Sequence, residues 1–301
     1  MNAIEIKNLT KSFGEKQALS GLNMSIPVGS IYGFIGENGS GKSTTEKIIC
    51  GLIHKTSGEV LLYGKPHTDS DIRASVGVLI EAPGCYPGLT VWNNLMIQAT
   101  NLGIENKADA VRKVLTLVRM EGSAGNKFKN CSLGMKQRIG IAMALLGSPK
   151  LLVLDEPING LDADGMRIMR EILTDIAKSG ATVLISSHIL GELQKIATHY
   201  GIIRGGKMIA EMTAEELENN CPTFVAIQTK DMQKTKELLN KKFSKVLEDE
   251  QKEYLRIYDA ETPEQVVKYL YDNNVIVNEL KTDKIGLEEY YINLMKNGEV
   301  K

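Results

Sequence analysis

Up to about residue 214, short apolar runs alternate with segments of helical spacing. "IYGFI", "VGVLI", "LLVLD", "ATVLISS" and "YGIIRG" are dense in aliphatic and β-branched residues and are bounded by Gly, Pro or polar positions. That pattern belongs to strands covered on both faces. "AIEI" and "LNMSI" alternate apolar with polar residues, which predicts antiparallel or edge strands. Between the runs, "KADAVRKVLTLVRM" and "DGMRIMREILTDIAKSG" place apolar residues three and four apart, and the second stops at Gly180, a C-cap residue. Strands alternating with helices predict an α/β layered fold.

The pattern changes after "KMIAEMTAEELENNCP", where Lys and Glu become more frequent and strands shorter. "TFVAIQT" reads as a strand, "MQKTKELLNKKF" as a helix, and "KVLEDE" with "EYLRIYD" as a strand pair. "TPEQVVKYLYDNN", "VIVNELK" and "GLEEYYINLMK" follow as helix, strand and helix. The order βαββαβ predicts a small α+β domain of ferredoxin-like type over 215–301. Tyr290 and Tyr291 read as core or interface residues there.

Composition adds mainly exclusions. The 301 residues are 43% hydrophobic and 24% charged, which suits a globular chain of about two domains. With 36 basic against 37 acidic residues, the net charge is −1, so no phosphate-backbone footprint and no nucleic-acid partner is expected. Cys50, Cys85, Cys131 and Cys221 are scattered without C-x-x-C pairing, as reduced structural thiols are. "MNAIEIKNLTKSFG" lacks the apolar core of a signal peptide. "IGIAMALLG" is far shorter than the ~18 apolar residues a spanning helix needs.

The chemistry sits in two stretches. "FIGENGSGKST" places G-x-x-x-x-G-K-S, Gly36 to Ser43, between a strand and the helix "TTEKIICGLI". Glycines there let backbone N–H groups face phosphates, and the helix N-terminus adds a favourable dipole. Lys42 would reach the β/γ-phosphates and Ser43 would ligate Mg²⁺. "LLVLDEP" delivers Asp155 at the tip of an apolar strand, within reach of the metal shell, and beside it Glu156, a candidate general base. Taken alone, these residues describe a Mg-ATP or Mg-GTP site.

"CSLGMKQRIGIAMALLGSPKLLVLDEPINGLD", followed about 30 residues later by "LISSH", resembles the nucleotide-binding subunits of ABC transporters over residues 1–214. The resemblance implies an ABC-type ATP-binding domain with a mixed sheet core and a helical subdomain at about 84–148. It implies ATP and Mg²⁺ as cofactors. It matches Phe13 to an adenine-stacking aromatic, although a lone Phe near a first strand is more often core. It matches Gly36, Asn38, Gly39, Ser40, Gly41, Lys42, Ser43 and Thr44 to the phosphate loop. Ser132 and Gly134 match the signature motif, which caps the γ-phosphate held by the opposite subunit. Asp155 and Glu156 match the metal-supporting aspartate and catalytic base. Leu161 and Asp162 match the loop joining the two sites, and His188 matches the γ-phosphate switch histidine.

Three positions depart from that family. The signature runs Cys131-Ser132-Leu133-Gly134-Met135, keeping the Ser and the second Gly. Ile158 stands where Thr is common. Glu81 stands where most relatives have a metal-ligating glutamine; both are oxygen ligands for a hard cation. A glutamate there resembles the branch of lantibiotic-immunity and bacitracin-resistance exporters. The resemblance implies an ATP-hydrolysing exporter subunit conferring resistance to a peptide antibiotic. It further implies a head-to-tail homodimer, peripheral on the cytoplasmic face of the membrane and bound to separate transmembrane permease subunits. Three other readings are an ABC ATPase acting on ribosomes or DNA, a GTPase or small-molecule kinase, and an ABC exporter subunit for another substrate. The single module without a basic excess argues against the first, and the signature segment argues against the second.

Overall fold

A computed structural model describes residues 1–249 and 253–297; Glu250, at the end of the "KVLEDE" strand, lies outside the described residues. The chain forms two compact units, Met1–Glu215 and Glu216–Lys301. In chain order the first unit opens with β1 (Asn2–Phe13), β2 (Lys16–Pro27), β3 (Ile31–Ile35), α1 (Lys42–Ile49), β4 (Ser57–Leu62), β5 (Lys65–Pro66), α2 (Ser70–Arg73) and β6 (Val76–Leu79). Three helices follow, α3 (Val91–Asn101), α4 (Lys107–Leu117) and α5 (Leu133–Leu145). The unit then continues with β7 (Leu151–Asp155), α6 (Ala163–Lys178), β8 (Thr182–Ser187), α7 (Leu190–Leu193), β9 (His199–Arg204) and β10 (Lys207–Thr213).

Two sheets carry this unit. The antiparallel one has order β2-β1-β4-β5, and the alternating strands "AIEI" and "LNMSI" lie within its β1 and β2. The other has order β10-β9-β3-β8-β7-β6; its strands from β9 to β6 are parallel, and β10 joins β9 antiparallel. β3 and β8 are buried at every residue and β7 at all but Asp155, as unbroken apolar runs predict for central strands. One core cluster joins Ile4, Ile6 and Met24 of the first sheet to Tyr32, Phe34 and Val153 of the second. Stacking the sheets sets the parallel strand ends, where the chemistry sits, around one loop.

"VGVLI" differs from its reading as a fully buried strand. β6 is the edge of its sheet and leaves Val78 exposed. Its covered face is packed by α5 at close range. A Cβ added at Gly77 would lie 2.2 Å from the carbonyl oxygen of Ala144, which is backbone and cannot yield. Gly77→Ala should therefore lower stability by about 2–3 kcal/mol, read as a lower urea midpoint with unchanged slope. An unchanged midpoint would show that α5 does not press on β6.

The second unit begins within α8 (Ala214–Asn220), at Glu216. It contains β11 (Thr223–Thr229), α9 (Met232–Leu239), β12 (Val246–Asp249), β13 (Tyr254–Ile257), α10 (Pro263–Asp272), β14 (Val277–Lys284) and α11 (Leu287–Asn297). Its antiparallel sheet has order β12-β13-β11-β14, the split βαββαβ arrangement. Val225, Ile227, Leu255 and Ile257 alternate along β11 and β13 onto one face and pack with Leu239, Val266 and Leu270 of the helices. From the opposite face, Arg256 is held by Glu289 of α11 at 2.6 and 2.8 Å and lies over the Phe224 ring. Tyr290 is buried, as a core residue should be.

Candidate functional site

Strand β3 runs from the sheet into the loop Gly36–Gly41, and α1 begins at Lys42. Gly41 is the N-cap, with φ 115°, a conformation that excludes side chains on strain alone. A Cβ there would also sit 2.7 Å from Leu19 and 3.1 Å from the Ala18 carbonyl oxygen. Having no side chain, Gly41 cannot accept from the first-turn amides of α1, which leaves them for an anion. Inside the loop, the buried Lys42 Nζ donates to the carbonyl oxygens of Gly36 (2.6 Å) and Glu37 (3.2 Å). The loop is thus closed around an ammonium before any phosphate arrives.

Asn38, Gly39, Gly41, Lys42, Ser43 and Thr44 line a cleft of about 400 Å³ together with Phe13, Asp155 and Glu156. Gly36 and the buried Ser40 support the loop from beneath. Phe13 is 50% exposed at the end of β1, which rules out the core-packing reading; Lys11 Nζ stands 4.6 Å from its ring centroid.

The acidic half comes from adjacent parallel strands. β7 delivers Asp155 opposite Ser186 of β8, whose hydroxyl donates to Asp155 Oδ1 at 2.7 Å. Glu156 then turns into the left-handed region at φ 50°, fixed by its amide donating to Ser186. That strained turn aims its carboxylate at His188, whose Nδ1 lies 2.8 Å from Glu156 Oε2 while the His188 amide donates to the same oxygen at 3.4 Å. A base held by two contacts beside a phosphate loop is equipped to orient and deprotonate a water. Hydroxyl and carboxylate oxygens of Ser43 and Asp155, on one cleft, are also the hard donors a small divalent cation takes.

Glu81 is not part of this constellation. It was expected beside Ser43 and Asp155; its exposed carboxylate instead accepts from Lys47 Nζ of α1 at 2.6 Å. The backbone turns left-handed there (φ 66°), and the ammonium of Lys47 holds the carboxyl below its ordinary range.

Ser132, Gly134 and Asp162 gather elsewhere, in a second depression of about 370 Å³ that shares no lining residue with the first. Both polar residues also serve as N-caps. Ser132 Oγ accepts from the Met135 amide of α5, and Asp162 Oδ1 from the Gly165 amide of α6. Accepting leaves the Ser132 hydroxyl proton available to a ligand.

One buried acid behind the cleft was missed altogether. Glu46 lies on the buried face of α1, fully enclosed, with Asp155, Ser186 and Lys42 around it. Burial first, and then the charge of Asp155, pushes its carboxyl well above the ordinary range. The signal in the sequence was its helical spacing: Glu46 is four residues after Lys42 and three before Ile49, on the stripe that should be buried.

With this geometry in place, similarity to known proteins decides the family. The ABC transporter family model matches residues 19–159. Over 99% of its length the chain is 35% identical to the bacitracin transport ATP-binding protein BcrA of Bacillus licheniformis, covering 98% of that protein. The chain belongs to the ABC transporter ATP-binding proteins. It is 42% identical to the lantibiotic transport ATP-binding protein SrtF of Streptococcus pyogenes over 72% of this chain and 93% of SrtF. A nucleotide-free ATP-binding cassette from an ABC transporter superposes with a TM-score of 0.68 at 26% identity, covering 73% of this chain and 94% of that one. The chain is therefore an ATP-binding and ATP-hydrolysing subunit of an ABC transporter.

Proposed function

We propose that this subunit drives export of a peptide antibiotic of the bacitracin or lantibiotic kind, as a head-to-tail homodimer on separate membrane permease subunits. The observation that carries the reading is the alignment with BcrA, which runs through both units of the chain. Two features of the structure support the assembly. The phosphate cleft and the Ser132–Gly134 depression are separate half-sites, so one ATP contacting both needs two chains facing each other. A solved relative in dimeric, post-hydrolysis form with ADP and Pi has a TM-score of 0.64 at 26% identity, over 70% of this chain and 98% of that one. Among the described residues no helix is long and apolar enough to cross a membrane, which leaves that task to partner chains.

In the nucleotide complex, Ser43 and Asp155 would hold Mg²⁺, whose charge would offset that of the phosphates. Lys42 and the loop amides bind the phosphates, Phe13 stacks on adenine, Glu156 deprotonates the attacking water and His188 keeps Glu156 oriented. Glu81 sits beside an apolar groove of about 340 Å³ lined in part by Ile80, Pro83, Leu102 and Met143, a surface suited to a permease loop. The test is antibiotic sensitivity of the source strain, of a strain deleted for this chain, and of the deletion complemented with the wild-type, Glu156→Gln or Glu81→Ala chain. Selective sensitivity to bacitracin or nisin-type peptides is expected, rescued only by the wild-type chain, while purified Glu81→Ala protein keeps its ATP affinity. An unchanged profile on deletion would overturn the peptide-resistance reading.

A further inference from the structure

The acid at position 46 has no structural reason to be where it is. It is fully buried on α1, and among the described residues neither of its carboxylate oxygens has a hydrogen-bond partner. The neighbouring hydroxyl of Ser186 directs its one proton to Asp155 Oδ1 at 2.7 Å. The ammonium of Lys42 is taken up by the carbonyl oxygens of Gly36 and Glu37. A helix that needed only packing here would carry an aliphatic residue, as it does at Ile48 and Ile49. An unpaired buried acid costs stability, and groups that do so without structural return cluster where a ligand needs them.

The ligand is defined by what surrounds the acid. Its neighbour Asp155 reaches the nucleotide cleft, and Ser43, three residues earlier on α1, lines that cleft too. A carboxyl buried against the Asp155 carboxylate, behind a cleft that Ser43 also lines, completes a set of hard oxygens that a divalent cation would stabilise. We propose that Glu46 is a second carboxylate of the divalent-cation site, acting on the cation from its outer sphere behind Asp155 and Ser43. The carboxylate that supplements Asp155 is then Glu46 from within α1, and Glu81 stays free to pair with Lys47. This inference rests on the ATP-site reading given above.

The test uses the full chain and reads binding, not turnover. The Kd for a fluorescent ATP analogue is measured in EDTA and again in excess Mn²⁺, for wild type, Glu46→Gln and Glu46→Leu. The ratio of the two constants is the coupling between cation and nucleotide. It should fall by about 10-fold or more in both variants, the usual effect of removing an outer-sphere partner, while the value in EDTA stays the same. Glu46→Leu should also raise Tm, because an unpaired acid gives way to a side chain suited to its surroundings; a merely structural residue would lose stability instead. A coupling ratio within twofold of wild type in both variants would overturn the proposal and leave the ATP site standing. Wild-type protein that binds no analogue under either condition would overturn both.

Discussion

Glu156→Gln should lower the rate of ATP hydrolysis by about 10²–10⁴-fold, the contribution of a positioned general base, while ATP affinity changes little. Glutamine has the same shape and can still accept from the His188 ring, but it cannot take a proton from water. The backbone supports that contrast. Glu156 adopts φ 50° with its amide bonded to Ser186, so the side chain is placed by the strand ends and not by its own charge. Among the described residues His188 alone bonds the carboxylate, at 2.8 Å, and both side chains reach solvent, so removing the charge leaves no buried ion unpaired. Steady-state phosphate release paired with equilibrium nucleotide binding measures the two effects separately. Parallel loss of both would mean that Glu156 holds the loop together and is not the base.

The second large effect is expected at Lys42. Its ammonium makes charge-assisted bonds inside the loop to two carbonyl oxygens, and a nucleotide brings β- and γ-phosphate oxygens to the same group. Bonds to a charged group contribute about 1.5–3 kcal/mol each. Lys42→Ala loses one or two of them to phosphate, so ATP affinity should fall by about 10²–10³-fold. The variant should remain folded, since β3, β7 and β8, which carry the loop, are held by ladders and apolar burial that Lys42 does not touch. Calorimetric titration with ATP, alongside a thermal melt, reads both. An affinity within a few-fold of wild type would show that the loop amides bind the phosphates without the ammonium.

Much of this site was legible because its signals are local. The phosphate loop, the Asp155–Glu156 pair and His188 each follow a strand in the sequence, and parallel pairing brings the ends of β3, β7 and β8 side by side. The βαββαβ order of the second unit was legible for the same reason, from alternation along β11 and β13 and helical spacing along α10. What remained hidden depends on contacts between distant segments. Nothing in "LIEAPG" says that Lys47, 34 residues earlier, stands within hydrogen-bonding distance of Glu81. Glu46 lies past the end of the G-x-x-x-x-G-K-S pattern, so reading the motif as a unit passed over the acid behind it. Ser132 and Asp162 were singled out as candidates by the family resemblance, whereas their task as helix N-caps showed only with the elements in place.

The central claim is that one ATP is completed by two chains, the phosphate loop of one and the Ser132–Gly134 segment of the other. Its most direct test is the solution mass of the Glu156→Gln chain by sedimentation equilibrium, with and without Mg²⁺ and ATP. With ATP the mass should be twice that of the 33.1 kDa chain, and adding Ser132→Arg, which blocks the opposing half-site, should return it to one. A mass that stays at one chain at high concentration with ATP bound would contradict the account, as would a dimer indifferent to Ser132→Arg.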